Sequence, residues 1–190
     1  MRIKDELKQE AIFKATIKLV NKIGFVSSSV SKIAKEANVS PATIYIYYKN
    51  KEDLLVSTFL RIKQQLGTAM LKNFDESKPI RDVFRTIWFN SFNFIQINPD
   101  LINYVEQFQN SPYYDLIDIK AAESSFEPVL MMIKKGIDQK IIKDVSLDMI
   151  GAFIYYPIMI LSNPRRTRNI KLDKKTIEKA FQLAWDAIKL

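Results

Sequence analysis

From Ser29 to Lys49 the chain reads SVSKIAKEANVSPATIYIYYK, and this stretch limits the possible folds more than any other. Ser29 is a favoured helix N-cap, and the apolar positions behind it, Val30, Ile33, Ala34 and Ala37, recur at helical spacing. Asn38-Val39-Ser40 makes a tight turn. Ser40 is again a capping residue, and Pro41 stands at the first helical position, where its missing N–H costs nothing. A second short helix therefore runs from Pro41 to about Tyr48. Two such short helices need a third to lean on. Residues 7–23 supply it, with Ile12, Ala15, Thr16, Leu19, Val20 and Ile23 on one stripe and Gly24 ending the helix.

The rest of the chain continues in helices. Only 4 glycines occur in 190 residues, so few positions break a helix, and no useful length of strand-like alternation appears. Helices are expected over about 52–74, about 79–97, in short pieces to about Asn110, and from Pro112 to Lys140 with an interruption near Glu127-Pro128. Ser146 caps an apolar helix over 147–161, and Asp173 caps the last one, to about Ile188. The predicted fold is all-α. Composition shifts near residue 50, from short charged helices to long ones rich in Phe, Ile, Leu and Tyr. That shift divides the chain into an N-terminal three-helix module, residues 1–50, and a larger helical body, residues 51–190.

Two short helices joined by such a turn, with a supporting first helix, form the helix-turn-helix plan. On the segment from Pro41, Ile44 and Tyr48 are four apart and share an inward face. Ala42 and Ile46 then point outward, flanked by Thr43 and Tyr45, with Tyr47 near the edge. Small Ala42 permits close approach to a groove, and tyrosine hydroxyls can donate to phosphate oxygens without burying charge. The net charge of +8 favours a polyanionic partner.

Residues 11–55 resemble the TetR family of bacterial repressors. The resemblance rests on Gly24-Phe25, on IAKEA, VS and IYIYY, and on KNKEDLL. It implies a helix-turn-helix followed by a ligand-binding and dimerisation domain. By position it implies phosphate contacts from Ser29, Thr43, Tyr45, Tyr47 and Lys51, with Pro41 and Ala42 nearest the bases. Ser28 and Lys32 are expected to assist at the N-terminus of the second helix. The chain departs from the family pattern at Asn38, where Gly is usual; Asn also tolerates the left-handed turn conformation. It departs at Ile46 too, where a larger polar or aromatic residue is frequent, and Ile46 suits a thymine methyl.

The body is dense in aromatics. Trp88, Phe92, Phe108, Tyr113, Phe126 and Tyr155 are candidates to line a ligand cavity, with Glu106 as a placed carboxylate for a cationic group. The expected effector is a small lipophilic molecule of aromatic or cationic character. In the helix 147–161, apolar nearly all round, Phe153, Pro157 and Leu161 are candidates for a homodimer interface. So are Ile177, Phe181, Ala184, Trp185 and Ile188 on the stripe of the last helix. Such a dimer would set two recognition helices about one DNA turn apart, to read a palindrome in double-stranded operator DNA.

Other classes fare worse. There are 0 Cys and 0 His, which excludes disulfides and thiol or histidine triads, and leaves no expected metal or cofactor. Nothing pairs Glu106 with Asp115 as an acid–base site, so no catalytic residue is assigned. The N-terminus lacks a signal-peptide core, and Met149–Leu161 is too short to span a bilayer, so a cytoplasmic protein with no membrane partner is expected. The alternative to a ligand-released repressor is an activator or architectural DNA binder of the same fold without an effector.

Overall fold

Serine, aspartate and proline punctuation sets most of the helix boundaries. The computed structural model describes the backbone of residues 2–118, 122, 124–163, 166, 167 and 170–190, and the side chains of the same residues from Asp5 onward. The described residues form nine α-helices: α1 Arg2–Ser27, α2 Val30–Glu36, α3 Pro41–Tyr47, α4 Lys51–Met70, α5 Ile80–Ile97, α6 Pro99–Gln109, α7 Glu127–Asp138, α8 Leu147–Leu161 and α9 Lys174–Ile188. Short 3-10 turns occupy Pro112–Leu116 and Ser124–Phe126, where a longer helix was expected from Pro112. Pro112 and Pro128 open elements, and Pro157 alone of the three lies inside a helix. The caps fall as expected: Ser146 accepts from the Met149 N–H at 3.3 Å and Asp173 from the Thr176 N–H at 2.8 Å.

The chain forms two compact units, residues 1–63 with 100–122, and residues 64–99 with 123–190. In the first, α1 is buried on two faces. Ile12 and Ala15 join Ile33, Ala34, Ile44 and Leu54 in one cluster. Phe13, Ile17, Val20 and Phe25 join Leu55, Phe59, Tyr104 and Phe108 in another. The second face explains why α6, distant in sequence, belongs with the N-terminal module. Fully burying a phenylalanine is worth about 1.5–3 kcal/mol, and Phe59 and Phe108 stack with ring centroids 4.5 Å apart. Polar ties reinforce this packing. Tyr104 donates to the Leu55 carbonyl at 2.9 Å, and Asn21 donates to the Asp100 carbonyl at 2.8 Å.

In the second unit α5, α8 and α9 pack pairwise. α5 buries Val83, Phe84, Ile87, Trp88 and Phe92 at helical spacing. α9 answers with Phe181, Ala184, Trp185 and Ile188. The Phe84 and Trp185 rings lie 5.6 Å apart, and those of Trp88 and Phe181 5.9 Å apart. At the edge of this packing Arg85 makes a two-pronged contact with the Glu178 carboxylate.

Candidate nucleic-acid interface

The helix-turn-helix is built by its caps. The Ser29 hydroxyl accepts from the Lys32 N–H at 3.3 Å and starts α2, whose Val30, Ile33 and Ala34 face inward. Asn38 takes the turn at φ 55°, in the left-handed region that Asn tolerates, so the expected turn forms without the usual Gly. Ser40 accepts from the Thr43 N–H at 3.2 Å, and Pro41 begins α3. Ile44 is the buried anchor of α3, at 0% exposure. Pro41 and Ala42 are exposed; so are Tyr45 and Ile46, at 55% and 74%. A short capped helix thus turns a small residue, an aliphatic side chain and a phenol toward solvent.

Around that face the predicted contact residues separate. Ser29 and Lys32 are exposed beside α3, and the Lys32 ammonium donates to the Ser27 carbonyl at 3.0 Å. Thr43 is half-buried, its hydroxyl 3.0 Å from that of Ser40. Tyr47 is half-buried against the α1–α3 cluster and donates to Asp5 Oδ1 at 3.1 Å. Partial desolvation and then the Asp5 carboxylate raise its pKa, so it stays a donor at neutral pH. Lys51 reaches back and donates to the carbonyls of Phe25 at 2.7 Å and Val26 at 3.4 Å. Ser28 is corrected: it is fully buried, and its hydroxyl donates to the Gly24 carbonyl at 2.7 Å, closing the bend after α1 rather than facing a ligand. Gly24 makes that bend at φ 76°, a conformation that suits glycine.

The aromatics expected to line a ligand cavity also separate. Trp88 and Phe92 are buried in the second unit and stack 5.6 Å apart, so they are core residues of α5. Phe108 is core too, but in the first unit. Phe126 and Tyr155 are half-buried in the second unit. Glu106 and Tyr113 are brought together, on the wall of an open cleft of about 560 Å³ in the first unit. Sequence reasoning missed the opposite wall, Ile23 to Val26, because the bend at Gly24 is what turns it toward α6. It also missed Trp88 Nε1, a buried donor without a hydrogen-bond partner among the described residues.

The dimer candidates need a matching correction. Phe181, Ala184, Trp185 and Ile188 are buried within their own unit and present no surface to a second copy. Ile177, Pro157 and Leu161 are half-buried, and Phe153 is 53% exposed. The outward apolar set is Met149, Phe153, Tyr156 and Ile160 on α8, with Leu183 on α9. No group of carboxylates among the described residues could hold a metal ion, and no described helix is long and apolar enough to cross a membrane.

A capped helix-turn-helix on a three-helix module, followed by a helical C-terminal region, defines a DNA-binding regulator. Residues 12–58 match the model described as bacterial regulatory proteins, tetR family, and residues 79–189 the model described as tetracyclin repressor-like, C-terminal domain. The chain belongs to the TetR family of transcriptional regulators, a family that is generally non-enzymatic. It is similar to a TetR family transcription regulator from Marinobacter aquaeolei VT8, with 34% identity, TM-score 0.90 and coverage of 100% of this chain and 99% of the other. An HTH-type transcriptional regulator of Haemophilus influenzae is 28% identical over 94% of each chain. The regulator FadR from Bacillus subtilis, in complex with stearoyl-CoA, shares the fold at TM-score 0.72 and 22% identity, over 94% of this chain and 98% of the other.

Proposed function

We propose that the protein is a cytoplasmic repressor that binds a palindromic operator as a homodimer and is released by a small lipophilic effector. The exposed face of α3 carries the proposal. Ala42 and Ile46 sit toward the groove floor, where the Ile46 side chain meets a thymine methyl. Tyr45, Tyr47 and Thr43 contact phosphates, as do Ser29 and Lys32 at the start of α2, where free N–H groups favour an anion. Lys51 adds a charge at the start of α4.

The homodimer forms through the outward apolar set on α8 and α9. Monomers rarely leave such a contiguous apolar face in water, and one helix pair from each copy makes a four-helix interface. The lipophilic effector is held in the second unit, where the buried Trp88 Nε1–H, without a hydrogen-bond partner among the described residues, can donate to an oxygen of the ligand. That FadR is in complex with stearoyl-CoA supports this class of effector for the fold. Release follows if the effector prefers the conformation that DNA does not select.

The test titrates palmitoyl-CoA and free palmitate into a complex of the protein with its selected operator. Operator affinity should fall with one of them, and Trp88→Phe should blunt that fall while leaving effector-free DNA binding intact. If lipophiles bind without altering operator affinity, the protein is a constitutive DNA binder.

A further inference from the structure

The cleft of the first unit is a ligand site, and the geometry points to an organic cation with an aromatic or aliphatic body as its occupant. One wall is the end of α1, with Ile23, Phe25 and Val26; the other is α6 and the following turn, with Glu106, Pro112 and Tyr113. The half-buried Tyr113 ring packs on the buried Phe25 ring, centroids 5.6 Å apart, which fixes the Tyr113 phenol on its wall of the cleft. Val26 is 89% exposed at the rim, an apolar side chain with little of its own chain to cover it. Several polar lining groups are already used: Gln107 donates to Asn21 at 3.0 Å, Asn110 to the Glu106 carbonyl at 2.7 Å, and the Ser111 hydroxyl to the Phe108 carbonyl at 2.7 Å. The carboxylate of Glu106 is the only formal charge among the lining residues. A carboxylate has room for several donors at once, so it can take a ligand cation alongside any other contact. A carboxylate beside the Tyr113 ring is a cation-recognising chemistry, and it runs against the +8 charge of the chain as a whole.

The cleft also bears on DNA binding, on the understanding that α3 is the DNA-reading helix. The wall from Ile23 to Val26 is tied to both neighbours of the helix-turn-helix. Ser28 holds the Gly24 carbonyl just before Ser29 caps α2, and Lys51 at the start of α4 holds the carbonyls of Phe25 and Val26. A ligand that grips this wall against α6 restrains the segment that sets α2. Any change it makes in operator affinity must be returned as an equal change in its own affinity when DNA is bound.

Four glycines make the test site-specific. In the full chain labelled with ¹⁵N-glycine, Gly24 lines the cleft, while Gly67, Gly136 and Gly151 do not. Benzyltrimethylammonium is the probe and benzyl alcohol its neutral counterpart. The cation should shift the Gly24 resonance and leave the other three, with benzyl alcohol far weaker. Glu106→Gln should weaken the cation about tenfold, the loss of one charge-assisted contact. Val26→Lys, a change at an exposed rim position, should also weaken it without disturbing the fold. An unmoved Gly24, equal responses to cation and alcohol, or an unchanged response in both variants would overturn the cation site. Operator affinity should fall at saturating cation, and an unchanged affinity would overturn the coupling. Failure of the protein to select any duplex would instead sink the DNA-binding proposal, while a Gly24 shift would still establish the site.

Discussion

The Lys51 ammonium donates to the Phe25 carbonyl at 2.7 Å, across the sequence from the start of α4 to the bend that ends α1. This lysine was expected as a phosphate contact; in the structure its ammonium donates to two carbonyls near the end of α1, those of Phe25 and Val26, and the first of them also accepts the Ser28 N–H. Lys51→Met should therefore lower stability by about 1–2 kcal/mol, the low end for a charged donor at a half-exposed site. If the same ammonium reaches a phosphate, the salt dependence of operator binding should also drop by about one ion. Chemical denaturation and operator titration across salt concentrations read the two effects separately.

Tyr47 and Asp5 make the second prediction. In the structure the Tyr47 hydroxyl donates a hydrogen bond to a carboxylate, and that carboxylate would sit near the DNA backbone. Tyr47→Phe should weaken binding nearly equally on all duplexes, since phosphate contacts position without specifying. Asp5→Asn should strengthen binding by removing a like charge. A double-mutant cycle on operator affinity measures the coupling; strengthening by Asp5→Asn that survives intact in Tyr47→Phe would assign the effect to charge alone.

The two faces of α8 and α9 should respond differently to substitution. Phe153→Glu and Leu183→Glu change exposed positions and should give a folded monomer with weak operator affinity. Trp185→Ala removes a side chain at 4% exposure, and should cost about 3–5 kcal/mol within the subunit itself. Sedimentation separates the cases: a dimer that persists in the double glutamate variant would remove the α8–α9 face from the interface.

Hydrogen bonds and charge from Arg85, with Arg81 and Lys174 nearby, hold the Glu178 carboxyl below its ordinary pKa. Its folded pKa lies below the unfolded one, so its contribution is complete at neutral pH and is lost as pH falls from about 4.3 through the folded value. At 40% side-chain exposure that contribution is below about 1 kcal/mol. Glu178→Gln should lower stability slightly at neutral pH and flatten its fall in acid, as urea titrations at stepped pH would show.

Local chemistry made the helix-turn-helix legible. Ser29, Ser40, Ser146 and Asp173 mark helix starts by accepting nearby N–H groups, and Pro41 by lacking an N–H of its own, and those helices begin where they indicate. Long-range packing was less visible. The stripe on α1 took in Ile12 and Val20, yet these lie in two clusters: Val20 joins Phe13 and Ile17, which the stripe left out, on a second buried face packed by α4 and α6. The stripe through Phe181 and Trp185 was real but faces α5, since the most apolar side of an amphipathic helix covers its own core first. Phe108 and Trp88 look alike in sequence and lie in different compact units. Glu106 and Tyr113 were picked out for their types, and the cleft that unites them depends on a bend at Gly24 that spacing alone does not reveal.

The central proposal is that α3 enters a groove of operator DNA, twice per dimer. Selection of bound duplexes from a random pool, run in parallel with the wild-type chain and Ala42→Arg, tests it most directly. The wild type should enrich an inverted repeat whose half-sites lie about 34–36 Å apart, one helical turn. Ala42→Arg alters an exposed residue and should melt like the wild type, yet enrich nothing, because its bulk blocks the close approach of α3. A wild-type pool without a consensus, or the same consensus from Ala42→Arg, would contradict it.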